Sequence, residues 1–294
     1  MTGYLGMELP ASWRGFAVNS PWRMKVGLEI DPDSDAQINQ LQSMVSGGLK
    51  IATNKWTSPI HGIDEKYAPV RTVYRKSGIW PAVYDPDNNG IQLPIPGEIW
   101  ADPENDAHIV LYYPNLNIAW EFWSWEKSGT DYKAGMVGKW DVKGLGYNVW
   151  PENKMNGAVA AKCPIIGGLI RYEEVIAGDV QHAGLMVVPG IITSKDICNP
   201  VASNTDGTRD GNQFLREGQR ICLDPAYDDS VLNVETRRLC RMLKQYGAYI
   251  MDRGSDWHIK CQNYGDDRWK QFTIQINQVP WSAWRIAKGS VIKL

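Results

Sequence analysis

Two strand-forming runs around a four-residue turn constrain this chain more than any other stretch. The first runs from Asp106-Ala107-His108 through Ile109-Val110-Leu111-Tyr112-Tyr113. The second runs from Ile118-Ala119-Trp120-Glu121-Phe122 through Trp123-Ser124-Trp125-Glu126. Both are rich in β-branched and aromatic residues. Between them lies Pro114-Asn115-Leu116-Asn117. Asparagine tolerates left-handed backbone, and proline cannot donate to a ladder. The pattern predicts an antiparallel hairpin.

Alternation along a strand fixes which side chains share a face. Ile109 and Leu111 match Ile118, Trp120 and Phe122 as the natural core set. A loop of residues 114–117 sets Tyr113 opposite Ile118, so turn and pattern agree on register. Val110 then faces Glu121, His108 faces Trp123, and Asp106 faces Trp125. The other face of the hairpin is expected to carry Asp106, His108, Glu121, Trp123 and Trp125 together. Two carboxylates, an imidazole and two indoles on one open sheet face suit sugar binding or glycan cleavage.

The composition leans the same way. Fourteen Trp and thirteen Tyr stand against four Phe, so the aromatic content favours rings with a polar handle. A formal net charge of -2 and the lack of a basic run give no reason to expect nucleic acid. No apolar stretch is long enough to span a bilayer as a helix. The start, Met1-Thr2-Gly3-Tyr4-Leu5, lacks the layout of a signal peptide. The five cysteines, 163, 198, 222, 240 and 261, are widely spaced and suggest no zinc site. One or two disulfides among Cys163, Cys198, Cys222 and Cys261 are expected if the protein is exported, with Cys240 a buried helical thiol.

Along the chain, residues 1–30 read as an irregular arm. Asp31-Pro32-Asp33-Ser34 starts an amphipathic helix that Gly47-Gly48 stops. Short strands follow, with Val70 to Tyr74 among them. Asp85 to Gly90 reads as a turn, with weak likeness to a calcium loop. Ile91 to Pro96 reads as an edge segment. Lys139 to Val142 and Tyr147 to Trp150 read as tryptophan-bearing loops at the rim of a sheet. In Val180 to Val188, alternation turns Ala183, Leu185 and Val187 inward and His182 the other way. A second helix is expected near Val234 to Tyr246, with an apolar stripe of Leu239, Met242, Leu243 and Tyr246. Tyr249 to Met251 and Phe272 to Ile276 read as late strands. Many short strands and few helices predict a mainly β chain, an antiparallel β-sandwich of jelly-roll type, in one domain over residues 1–294.

Several of these pieces together resemble a group of mostly uncharacterised secreted bacterial proteins. They are Ser20-Pro21-Trp22, Asp31-Pro32-Asp33-Ser34, Asp106-Ala107-His108 and Glu121-Phe122-Trp123. Further along come Gly168-Leu169-Ile170-Arg171-Tyr172-Glu173-Glu174, His182-Ala183 and Gln245-Tyr246-Gly247-Ala248-Tyr249. The resemblance implies an exported, β-rich, jelly-roll-like protein of the kind found near carbohydrate-active modules. A weaker likeness to jelly-roll alginate lyases, in Tyr132-Lys133-Ala134-Gly135 and Gln181-His182, fails because the two elements stand in reversed order.

The expected function is therefore an extracellular or virion-surface protein that acts on a polysaccharide as a glycoside hydrolase or lyase. Glu121 is the first candidate carboxyl group. Asp106 stands about four residues along the ladder from it, over ~10 Å away, and Glu173, Glu174 or Asp141 from another strand are the other candidates for the second. His108 or His182 would be a lyase base. Trp123, Trp125, Trp140 and Arg171 would hold the sugar. One alternative is a glycan-binding module or adhesin that does not cleave. Another is a cupin-like metal site built from His108, Glu121 and His182.

Overall fold

The computed structural model describes residues 1–27, 29–76, 80–149, 155–190 and 192–294. In chain order it holds β1 (Tyr4–Gly6), α1 (Ser34–Met44), β2 (Lys50–Ala52), β3 (Ile60–Ile63), β4 (Val70–Arg75) and β5 (Ile91–Pro94). Next come β6 (Ile109–Tyr113), β7 (Ile118–Trp123), β8 (Glu126–Ser128), β9 (Asp131–Ala134), β10 (Met136–Asp141), α2 (Tyr172–Ala177) and β11 (Gly184–Pro189). The rest comprises β12 (Asp196–Asn199), β13 (Arg220–Leu223), α3 (Val234–Gln245), β14 (Ala248–Gly254), β15 (His258–Lys260), β16 (Trp284–Ala287) and β17 (Ser290–Lys293).

The predicted hairpin forms in the predicted register. β6 and β7 pair antiparallel with Tyr113 opposite Ile118, Leu111 opposite Trp120, Val110 opposite Glu121 and Ile109 opposite Phe122. Asn117, at φ +55°, closes the turn. The register changes just beyond the ladder. Ala107 (φ +40°) and Ser124 (φ +56°) are both left-handed. Ser124 N–H donates to the Asp106 carbonyl, and Trp125 N–H donates to that of Ala107. A bulge of this kind interrupts the alternation of faces. Trp125 consequently joins the opposite side, against Phe122 and Tyr132, with centroids 5.0 and 4.6 Å away. This corrects the expected placing of Trp125 beside Glu121.

The strands form mixed sheets rather than the purely antiparallel sheets of a jelly roll. One sheet runs β1-β3-β6-β7-β10, another β16-β13-β14-β11-β15-β2, and a third β5-β4-β9-β8. Parallel pairs occur at β3/β6, β4/β9, β11/β14 and β15/β2. A parallel pair needs a long crossover, and between β11 and β14 the chain supplies one that includes α3. Asn233 caps α3 by accepting from Thr236 N–H. The expected stripe of Leu239, Met242, Leu243 and Tyr246 is buried.

Two apolar clusters lie on opposite sides of the hairpin sheet. Val110, Tyr112, Ala119 and Trp140 pack with α1, α3 and the β11/β14 sheet. Ile109, Leu111, Tyr113, Trp120, Phe122 and Trp125 pack with Val73, Ile91, Leu93 and Tyr132 of the third sheet. The hairpin is thus a middle layer, buried on both faces. Residues 139–141 are part of β10, paired with β7, and not a rim loop. Phe272 to Ile276 is not a strand: it joins short 3-10 turns at Arg268–Gln271 and Ile276–Gln278. Trp150 lies outside the described residues.

All five cysteines are free and buried, so the expected disulfides do not form. A thiol reagent is expected to label none of them in native protein and all five after unfolding. The two-sided core makes a second prediction. Phe122→Ala should cost ~3–5 kcal/mol in urea unfolding, whereas Leu116→Ala, on the exposed turn, should change stability by no more than ~0.5 kcal/mol.

Candidate functional site

The hairpin face predicted to be open is open only at one end. Glu121 is fully buried. Its carboxylate accepts from the backbone N–H groups of Ile165 and Ile166, at 2.8 Å each, and from Trp140 Nε1 at 3.0 Å. Burial pushes its pKa up to about 7, against these three donors. Glu121 holds the 165–166 segment onto the sheet and is sealed from any polymer. Trp140, buried beside it, supports that contact and cannot stack on a sugar.

The second predicted group is also internal. Arg171 is buried, donates to the Pro10 and Trp13 carbonyls and pairs with Glu174. His182 Nε2 lies 3.2 Å from the same buried Glu174. Glu173 belongs to a neighbouring half-buried cluster in which Tyr264 donates to it and Arg268 pairs with it at 3.2 Å. None of these meets Glu121 or His108. Among the described residues no three His, Cys, Asp or Glu converge in a way that could hold a metal, which removes the cupin-like set. At the calcium-like turn, Asp85 Oδ1 accepts from Gly90 N–H instead, at 3.0 Å.

The open end of the hairpin is where polar groups gather. Two cavities of about 500 and 370 Å³ share Asp106, Asp252 and Arg253 in their linings. The larger adds Lys50, Trp56, Asp256, His258 and Lys260. The smaller adds Trp123, Met136, Lys162 and Asp206. Asp106 arrives from the bulged start of the hairpin, where its Oδ1 accepts from Trp123 Nε1 at 3.0 Å. Asp252 arrives from β14, where the pairing with β11 slips: Met186 is opposite Ile250, but Val187 is opposite Asp252. Bulges re-aim side chains in this way. Buried Asp102 accepts from the backbone N–H groups of Trp56 and Thr57, at 3.3 and 3.1 Å, and so fixes the loop that carries the exposed Trp56 indole.

Electrostatically the cleft is a set of opposed, largely buried charges. Burial, helped by the Asp206 and Asp106 charges and opposed by Lys260, raises Asp252 to about 7. Behind it Glu217 is fully buried, and its carboxyl is raised well above the usual range by desolvation and then by the Asp252 and Asp206 charges. Among the described residues nothing donates a hydrogen bond to its oxygens. Burial lowers His258 to about 4. His108 is fully buried, its ring nitrogens make no hydrogen bond with any described residue, and desolvation, with the Lys260 charge, holds it well below the usual imidazole range. Lys162 is lowered to about 8 by burial while donating to the Gly157 carbonyl at 3.1 Å.

Of the residues singled out by sequence, the structure brings Asp106 and Trp123 to the cleft and buries His108. It seals Glu121, Trp140, Arg171 and His182, and turns Trp125 away. Asp252, Lys260 and His258 were missed. The available signal was a charged pair, Asp252-Arg253, ending the apolar run Ala248 to Met251. No family model, no curated protein and no solved structure matches the chain.

These shifts fix the sign of the pH dependence of stability. Glu121, Asp252 and Glu217 bind protons more tightly folded than unfolded, so their contribution is full below about 4 and is lost as pH rises through about 7 and above. His61, His108 and His258 are depressed, so they oppose this trend, but only below about 6.5. Unfolding free energy should therefore fall between about pH 6.5 and 8. Glu217→Gln should make that fall shallower, as urea titrations at each pH would show.

Proposed function

We propose that this protein hydrolyses a glycosidic bond within a polysaccharide, with Asp252 as proton donor and Asp106 as the second carboxylate. One observation carries the reading. A carboxyl group poised near neutral pH lines the same two cavities as a second carboxylate, with indoles on the walls. Glycoside hydrolysis requires such a pair, one carboxyl protonated to release the leaving oxygen and the other ionised on the opposite side of the bond.

The surrounding residues supply the remaining conditions. Trp123 orients Asp106 through its Nε1–H, and its ring, with that of Trp56, offers apolar faces to a sugar. Desolvation keeps Asp252 protonated at a pH where an exposed aspartate is ionised. The combined cavity volume matches a ligand of a few sugar rings. A polymer substrate also fits an exported or virion-surface protein.

The test is reducing-end release from a panel of plant, algal and bacterial polysaccharides. Asp252→Asn and Asp106→Asn should each lower the rate by about 10²-fold or more. Activity that survives both substitutions would overturn the assignment. Tight polymer retention without any product would replace hydrolysis with binding alone.

A further inference from the structure

We infer that the glycan taken by this cleft carries an anionic group, a uronate carboxylate or a sulfate ester, and that the Lys260 ammonium receives it. The inference rests on the hydrolase reading for the identity of the ligand as a glycan and for the protonated state of Asp252.

Lys260 stands at the end of β15, is 3% exposed and yet lines the larger cavity. Its ammonium makes no hydrogen bond and no ion pair with any described residue. Desolvation holds its pKa below the usual lysine range, and an anion in the cavity would supply the partner that favours its charged form. The carboxylates that act on it from a distance, Asp252, Asp106 and Asp102, have other commitments. Asp106 accepts from Trp123, and Asp102 accepts from the backbone of Trp56, Thr57 and Glu104. Asp252 gives up its negative charge whenever it is protonated to act as the acid.

The other lining charges have the same bias. With Asp252 protonated, Lys50, Lys55, Lys162, Arg253 and Lys260 face only Asp106, Asp206 and Asp256. Asp256 is taken by Lys50, and Asp206 is paired with Arg253 at 3.3 Å. Lys55 pairs with Glu104 outside the cavity lining. The positive charge left without an ion-pair partner is at Lys260, in the larger cavity, and at Lys162, in the smaller, and Asp252 lines both. A neutral sugar offers these groups only hydroxyl oxygens. An anionic sugar offers a charge-assisted bond in a poorly solvated site, where it is strongest.

Calorimetric titration of the Asp252→Asn protein, which binds without turnover, tests this directly. The probes are oligogalacturonate, oligomannuronate and a sulfated galactan oligomer, each beside its carboxyl-reduced or desulfated counterpart. At least one anionic oligomer should bind about tenfold or more tighter than its neutral counterpart. That preference should shrink as salt is raised and vanish in Asp252→Asn/Lys260→Met, shown by its melting transition to be folded. The uronate and sulfate arms identify which anion is used. Equal affinity for charged and neutral forms, no binding of any anionic probe, or a preference that survives loss of Lys260 would overturn the inference. Because the ionic-strength series needs no change at Lys260, the result stands even if that variant does not fold. Hydrolysis of neutral polymers alone would sink the anionic site and leave the hydrolase. Anion-selective binding without cleavage of any polymer would do the reverse.

Discussion

The Glu121 carboxylate, gripping two successive backbone N–H groups and an indole N–H, is the contact on which the rest of this structure depends. It ties the middle sheet to the segment at residues 165–166, which lies against the β11/β14 sheet. An acid so placed is expensive to bury, and three donors offset part of that cost. Removing it would leave two backbone amides and an indole without an acceptor, each a penalty of about 1–3 kcal/mol. The contact is also what closes the hairpin face, so polar chemistry is displaced to the strand ends.

The cleft exists because several regular elements fail at one place. The hairpin bulges at Ala107 and Ser124, β14 slips against β11, and the loop after β2 is held by Asp102. Each irregularity turns a polar side chain into the same space. The result is a site where Asp252 accepts from the Arg253 backbone N–H and Asp106 from the Trp123 indole, an arrangement that would hold the two carboxyls of the proposed pair rigid. The Asp206 charge raises Asp252 further, and together these two raise the buried Glu217 carboxyl.

Much of the local structure was legible, and the failures have physical causes. Hairpin register could be read because turn length and alternation agree, and α3 because its apolar stripe and Asn cap coincide. The side of Trp125 could not be read, because one left-handed residue, Ser124, reverses the parity that the argument used. Burial of Glu121 could not be read either. A polar residue amid apolar ones has the same pattern whether it faces water or two backbone amides 44 and 45 residues away. The mixed sheets escaped notice since parallel pairing joins strands distant in sequence, and short apolar runs do not declare their partners. Asp252 follows an ordinary apolar strand run, and only the β14 slip against β11 distinguishes its position. The cysteines, spaced widely, are buried as apolar side chains rather than joined.

The central claim is that Asp252 is a carboxyl group poised by its surroundings, with Asp106 among the causes. Carbon-13 NMR titration of aspartate-labelled protein, with the Asp252 resonance assigned by its loss in Asp252→Asn, measures this directly. The account predicts a midpoint near 7 in the wild-type protein and a lower one in Asp106→Asn. A midpoint close to 4, as for an aspartate in water, and unmoved by Asp106→Asn would contradict it.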